Sequence, residues 1–204
     1  NNCLFLYIVI NNLTAFIILH IFKQTRHVLC HHNSPLMSHY QLEEDGFTIL
    51  PRVLEEATII HLLTEIQRVR EEQTTLKNSP VYALRNLFQV LPSVRQLAAS
   101  PLARSLVEPY LGTDCVAVRA IYFDKIPSAN WKVPYHQDLS IALASQHEVE
   151  GFGPWSHKEG VLHALAPNFV LEQMLTIRFH LNDCSKENGA LRVLPGSHRH
   201  GRLE

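Results

Sequence analysis

From Cys115 onward the chain alternates with a period of two, and nothing else in it constrains the fold more tightly. Val116, Val118, Ala120 and Tyr122 interleave with Ala117, Arg119, Ile121 and Phe123. Successive side chains of an extended strand point to opposite faces, so this is strand periodicity. The pattern returns in Leu175, Ile177, Phe179 and Leu181, set against Thr176, Arg178, His180 and Asn182. Placing Arg178 on an inner face would be costly without an anionic partner, so the pattern alone favours an exposed face for it. A further strand is expected over residues 136–141. Residues 150–155 carry two glycines and a proline and read as a long loop. Asn188-Gly189 is a strong hairpin signal, with residues 190–194 as the returning strand and Pro195-Gly196 closing it.

The first half reads differently. Asp45-Gly46 is a turn signal, and residues 47–50 form a short strand ending at Pro51. Residues 55–73 carry Ile59, Leu63, Ile66 and Val69 at helical spacing, with Glu55 and Glu56 in the first turn, where the helix dipole favours anions. Ser100-Pro101 is an N-cap followed by proline at the first helical position, and Gly112 is the stop. Helices first, then strands with turn chemistry, argue an α+β fold built on an antiparallel sheet or barrel.

The 204 residues suit one domain with a real core. A net charge of −1 with no basic stripe argues against nucleic acid as the default partner. Cys3, Cys30, Cys115 and Cys184 are scattered, without a Cys-x-x-Cys. They read as reduced thiols of a cytoplasmic protein. Residues 1–36 differ from the rest. An uncharged run from Cys3 to Phe22 is long enough to span a bilayer, and Lys23 and Arg26 follow it. Asn11-Asn12 interrupts it, the chain begins with Asn, and the composition changes at Met37. The segment is read as a non-native hydrophobic leader, with a membrane anchor as the alternative, and it is set aside from residues 37–204. Membrane association is expected only if residues 1–36 are native.

The chemistry centres on His136-Gln137-Asp138. In an extended segment His136 and Asp138 share a face. An imidazole beside a carboxylate is two thirds of the facial triad that holds non-haem Fe(II). The spacing by itself equally describes a half-buried histidine hydrogen-bonded to a carboxylate. Arg85, read alone, is a surface charge.

The order of signals resembles the phytanoyl-CoA dioxygenase family of Fe(II)/2-oxoglutarate oxygenases. The resemblance runs from about Tyr40 to the end. It rests on Asp45-Gly46-Phe47-Thr48-Ile49-Leu50, Ala120-Ile121-Tyr122-Phe123-Asp124-Lys125, Pro134-Tyr135-His136-Gln137-Asp138-Leu139 and the stretch from Asn188 to Pro195-Gly196-Ser197-His198. It implies a double-stranded β-helix, the jelly-roll or cupin-like architecture, with flanking N-terminal helices. It implies His136 and Asp138 as iron ligands and Arg85, Ile121, Gln137 and Arg178 around 2-oxoglutarate. Trp131, Phe152 and Trp155 could shape a substrate pocket. His198 in Pro-Gly-Ser-His is tempting as the third ligand. In the family, however, the distal histidine and the oxoglutarate-binding arginine come later, beyond Glu204. The chain is therefore expected to be an incomplete, inactive fragment with an open barrel.

The expected function is an Fe(II)/2-oxoglutarate-dependent dioxygenase that uses O2 to hydroxylate an aliphatic C–H of a small-molecule substrate. Asp138 favours hydroxylation over halogenation, since related halogenases replace that carboxylate with a small residue. The rivals are a non-catalytic jelly-roll binding module and a hydrolytic metal site.

Overall fold

A computed structural model describes residues 3–11, 17–22, 40–125, 133–184 and 189–203, and of the side chains in 3–11 and 17–22 only Ile8. The strands are β1 (Cys3–Asn11), β2 (Ile17–Phe22), β3 (Phe47–Pro51), β4 (Ala83–Leu84), β5 (Val116–Lys125), β6 (Ser140–Leu143), β7 (Trp155–Lys158), β8 (Val161–Leu165) and β9 (Met174–His180). The helices are α1 (Leu42–Asp45), α2 (Glu56–Lys77), α3 (Leu87–Val90), α4 (Pro92–Ala99), α5 (Pro101–Leu111) and α6 (Asn168–Leu171). The fold is α+β.

The strands form two sheets. The larger has the order β3-β2-β9-β1-β5-β4, and the smaller is β6-β8-β7. The small sheet is antiparallel throughout, whereas β2 runs parallel to both β3 and β9 in the large one. No closed barrel forms among the described residues. Residues 3–11 and 17–22, set aside on sequence grounds, lie inside the large sheet: β1 pairs with β5 and β9, and β2 with β3 and β9.

Alternation in β5 and β9 decides where the core sits. Ala120 and Tyr122 of β5 and Leu175, Ile177 and Phe179 of β9 pack with the helices, along with Ile8 of β1. Helix α2 contributes Ile59, Leu62, Ile66 and Val69, one stripe at helical spacing. Helix α5 begins where Ser100 accepts a hydrogen bond from the Ala103 amide and Pro101 takes the first position, and it stops at Gly112. Arg70 of α2 pairs with the buried carboxylate of Asp124 at the end of β5. Desolvation raises the Tyr122 phenol far above its usual range, with the Asp124 charge adding to it.

Several expectations need correction. Arg178 is not exposed; it is buried at 2 % exposure on β9, which is covered on both faces. Residues 136–139 are irregular and the strand starts only at Ser140. Residues 190–194 form no strand, and Asn188 lies outside the described residues, as do Met37 and Trp131. Cys115 is a free, buried thiol, but Cys184 is disulfide-bonded, unlike the reduced set expected. No helix among the described residues is long and apolar enough to cross a membrane.

The β7–β8 hairpin went unread in the sequence. Lys158 faces Val161 across a two-residue loop, and both loop residues have positive φ, Glu159 at 50° and Gly160 at 80°. That is the primed turn whose twist matches paired strands. Glycine adopts such a φ freely, whereas glutamate does so at a cost. Glu159 is held there by its partners: Arg85 lies 3.4 Å from its carboxylate, and Asn86 donates to its carbonyl at 3.3 Å. The ion pair and the hydrogen bond fasten the hairpin turn beside β4, and β4 is paired with β5.

Candidate functional site

Residues 133–139 lead into β6 without regular pairing; residues 133–136 and Asp138 are exposed, whereas Gln137 and Leu139 are half-buried. The His136 Nδ1 is 2.9 Å from the Pro134 carbonyl oxygen. A carbonyl only accepts, so in the neutral ring Nδ1 carries the hydrogen and Nε2 carries the lone pair. That Nε2 stands 3.6 Å from Oδ1 of Asp138, with the two side chains 54 % and 79 % exposed. The separation is too long for a hydrogen bond. With the ring neutral, two electron-pair donors converge here, an arrangement a cation would satisfy. An Nδ1–H to carbonyl bond is also how metal-binding histidines are commonly oriented. Among the described residues no group of three or more His, Cys, Asp or Glu side chains comes together to hold a metal ion.

Beside this pair lies a cleft of about 370 Å³ lined by Gln137, Asp138, Ser140, Trp155, Ser156 and Lys158, among others. The volume suits a small molecule. Lys158 donates to Ser140 Oγ at 3.1 Å, tying β7 to β6 across β8. Lys158 lines the cleft, and Arg85 and Arg119 act electrostatically on one another and on His163. Burial pushes the Arg119 guanidinium below its usual range, and neighbouring Arg85 pushes the same way, whereas Asp138 and Glu159 oppose them. Burial also holds the His163 imidazole below its ordinary value; its bond to Val161 pulls it up, and Arg119, Lys158 and Arg85 push it down.

The phytanoyl-CoA dioxygenase (PhyH) family model matches residues 42–204. The chain belongs to the phytanoyl-CoA dioxygenase family. Members of this family are typically Fe(II)/2-oxoglutarate oxygenases. No curated protein and no solved structure matches the chain.

The site residues expected from the family fall into two groups. His136, Asp138 and Arg85 meet in one electrostatic neighbourhood, joined through Arg119 and Glu159. Gln137 borders the same cleft, but its amide is engaged: it donates to the Gly201 carbonyl at 2.7 Å and accepts from the Leu203 amide at 2.8 Å. Ile121 and Arg178 belong to the large sheet, at one level on either side of Tyr7 of β1. Trp155 lines the cleft, whereas Phe152 packs with Ile141 and Leu171 in a small core of its own. His198 docks on α1, its Nε2 3.1 Å from the Glu43 carbonyl. Gly46, at φ 81°, makes room for that ring, because a Cβ there would collide with it.

Arg119, Lys158, Glu159 and His163 are the residues sequence reasoning missed as a group. For Arg119 the signal was available: it sits two residues before Ile121 on the same strand face. For Glu159 it was weak, since a Glu-Gly turn lacks the Asn or Asp that marks primed hairpins.

Proposed function

We propose that the protein is an Fe(II)/2-oxoglutarate-dependent dioxygenase that hydroxylates an aliphatic C–H of a small-molecule substrate. The observation that carries this reading is the convergence of His136 Nε2 and Asp138 Oδ1, 3.6 Å apart with the imidazole hydrogen committed elsewhere. Family membership supports the same chemistry. Bound Fe(II), with 2-oxoglutarate and O2, supplies the oxidising power, and the protein supplies binding and orientation.

In this reading His136 and Asp138 hold the metal, and Pro134 keeps the imidazole in the ligating tautomer. Arg85 exchanges the Glu159 carboxylate for one of the co-substrate's. The Arg85 side chain is 31 % exposed, so the exchange requires no unpacking. Ile121 offers an apolar wall. Gln137 contributes to the co-substrate once it releases residues 201–203, and Arg178 contributes from β9. The two sheets are then the faces of a jelly roll, open among the described residues, with the cleft at its mouth.

The test is anaerobic addition of Fe(II) and 2-oxoglutarate to the native full-length protein. A visible charge-transfer band is expected, and it should be absent from His136→Ala and Asp138→Ala. No band in the native protein, with 2-oxoglutarate in excess, would overturn the reading in favour of a non-catalytic binding module or a hydrolytic metal site.

A further inference from the structure

His163 of β8 is buried at 1 % exposure. Its Nδ1 lies 2.9 Å from the Val161 carbonyl, which only accepts, so Nδ1 carries the hydrogen. Burial opposes the charged imidazolium, and Arg119, Lys158 and Arg85 add repulsion. Nε2 is therefore a bare acceptor, and no donor reaches it among the described residues. A buried acceptor left without a donor is costly, unless a ligand supplies one.

The sheet register shows where such a ligand would lie. His163 is paired with Ser156 on β7 and Ala142 on β6, and residues paired across strands project from one face. Leu165 is two residues further along β8 and shares that face, as do its partner Ser140 and, at the turn, Lys158. Ser140, Ser156, Lys158 and Leu165 all line the cleft beside Asp138. The Arg85–Glu159 pair fastens the β7–β8 turn next to β4 and β5. Arg119 of β5 thereby comes within electrostatic reach of both Asp138 and His163. Its half-buried guanidinium makes no hydrogen bond or ion pair among the described residues. A planar donor fork thus lies within electrostatic reach of a bare acceptor and of the candidate ligand Asp138.

We propose that Arg119 and His163 form a substrate-reading pair for a hydroxy acid, the carboxylate taking the Arg119 guanidinium and the hydroxyl donating to His163 Nε2. This rests on the oxygenase reading and names a substrate class for it. The co-substrate does not fit the pair: 2-oxoglutarate offers only acceptor oxygens, which oppose the Nε2 lone pair. An amino donor would be cationic and is repelled by Arg85, Arg119 and Lys158.

The test uses native protein without metal, labelled with ¹⁵N-histidine and titrated with malate, succinate and 2-oxoglutarate. Malate is expected to move the His163 Nε2 resonance, whereas succinate, which lacks the hydroxyl, leaves it in place. Arg119→Gln should weaken the malate response by about tenfold to a hundredfold, as expected for a lost charge-assisted bond. If that variant does not fold, the contrast between malate and succinate on native protein decides alone. The pair is overturned if malate leaves the resonance unmoved. It is equally overturned if succinate and 2-oxoglutarate move it as far as malate does, which makes the site a general carboxylate contact. Because no iron is used, loss of the malate response with the Fe(II)–2-oxoglutarate band intact sinks the pair alone. A malate response without the band sinks the oxygenase reading and leaves a hydroxy-acid binding site.

Discussion

The two sheets use the same alternation for different ends. In the large sheet, β9 is covered on both faces: Leu175, Ile177 and Phe179 pack with the helices, and Arg178 and His180 are buried on the other side. In the small sheet, β7 leaves Ser156, His157 and Lys158 exposed, and β8 buries His163 and Ala164 at its centre. A strand covered twice spends its side chains on packing, whereas the exposed side chains of β7 are left for chemistry. Arg85 and Arg119 cross that division: they belong to the β4–β5 side of the large sheet, yet Arg85 pairs with Glu159 of the small sheet's hairpin and Arg119 feels the charges of Asp138 and Glu159.

The largest effect that would sharpen this contrast is at the open side. In the full-length protein, His136→Ala or Asp138→Ala should abolish Fe(II)-dependent succinate release. Both side chains are exposed, so stability should change by no more than about 0.5 kcal/mol. Turnover that survives either change would remove the pair from the metal. Denaturant midpoints check the second half, and a collapse in stability would make the segment structural.

At the covered side the expectation reverses. Phe179→Ala opens a cavity where the side chain has 0 % exposure, and should cost about 3–5 kcal/mol. Ser156→Ala on exposed β7 should fall within about 0.5 kcal/mol. Equal losses in urea titrations would break the comparison. Next comes the charge buried between sheet and helix. Arg70→Met leaves the Asp124 carboxylate, 1 % exposed, without its cation, at a cost of about 3 kcal/mol. Adding Asp124→Asn should recover part of that loss; no recovery would mean that the Arg70 stem, and not its charge, carries the effect.

What could be read from the sequence follows the same division. Helix α5 was legible because its signals are local: Ser100 caps, Pro101 starts and Gly112 stops it. The strands β5 and β9 were legible because apolar residues alternate along them. Arg178 was misplaced because its burial depends on what covers β9, which no local pattern states. The β7–β8 hairpin was missed because His157-Lys158-Glu159-Gly160 is polar on both faces, and its turn is held by Arg85 and Asn86, distant in sequence. Likewise the candidate metal pair was visible as His-x-Asp, whereas Arg85 and Lys158 approach it only when that hairpin docks. The candidate ligands were local information and the electrostatics around them were tertiary.

Arg85 tests that tertiary part. Arg85→Ala should raise the apparent KM for 2-oxoglutarate by about tenfold to a hundredfold, the worth of a charge-assisted bond to a carboxylate. It should leave kcat at saturation less affected. An unchanged KM would confine Arg85 to holding Glu159 and the turn.

The smallest effect expected is acid sensitivity traced to His163. In the folded protein burial, reinforced by Arg119, Lys158 and Arg85, lowers its pKa from the ordinary 6.5. The unfolded chain therefore takes up a proton at His163 that the folded one refuses. Stability is independent of this group above about pH 6.5 and falls as the pH drops below it. The decline ends once the folded form also protonates, and a single proton contributes at most about 1.4 kcal/mol per pH unit. With 13 histidines in the chain, the measurement must be a difference. Subtracting the stability of His163→Gln from that of the native protein should give a flat line above pH 6.5 and a loss below it. A difference that grows as the pH falls would mean that His163 is charged in the fold. That would turn the small sheet's buried face from a neutral acceptor into a cation site.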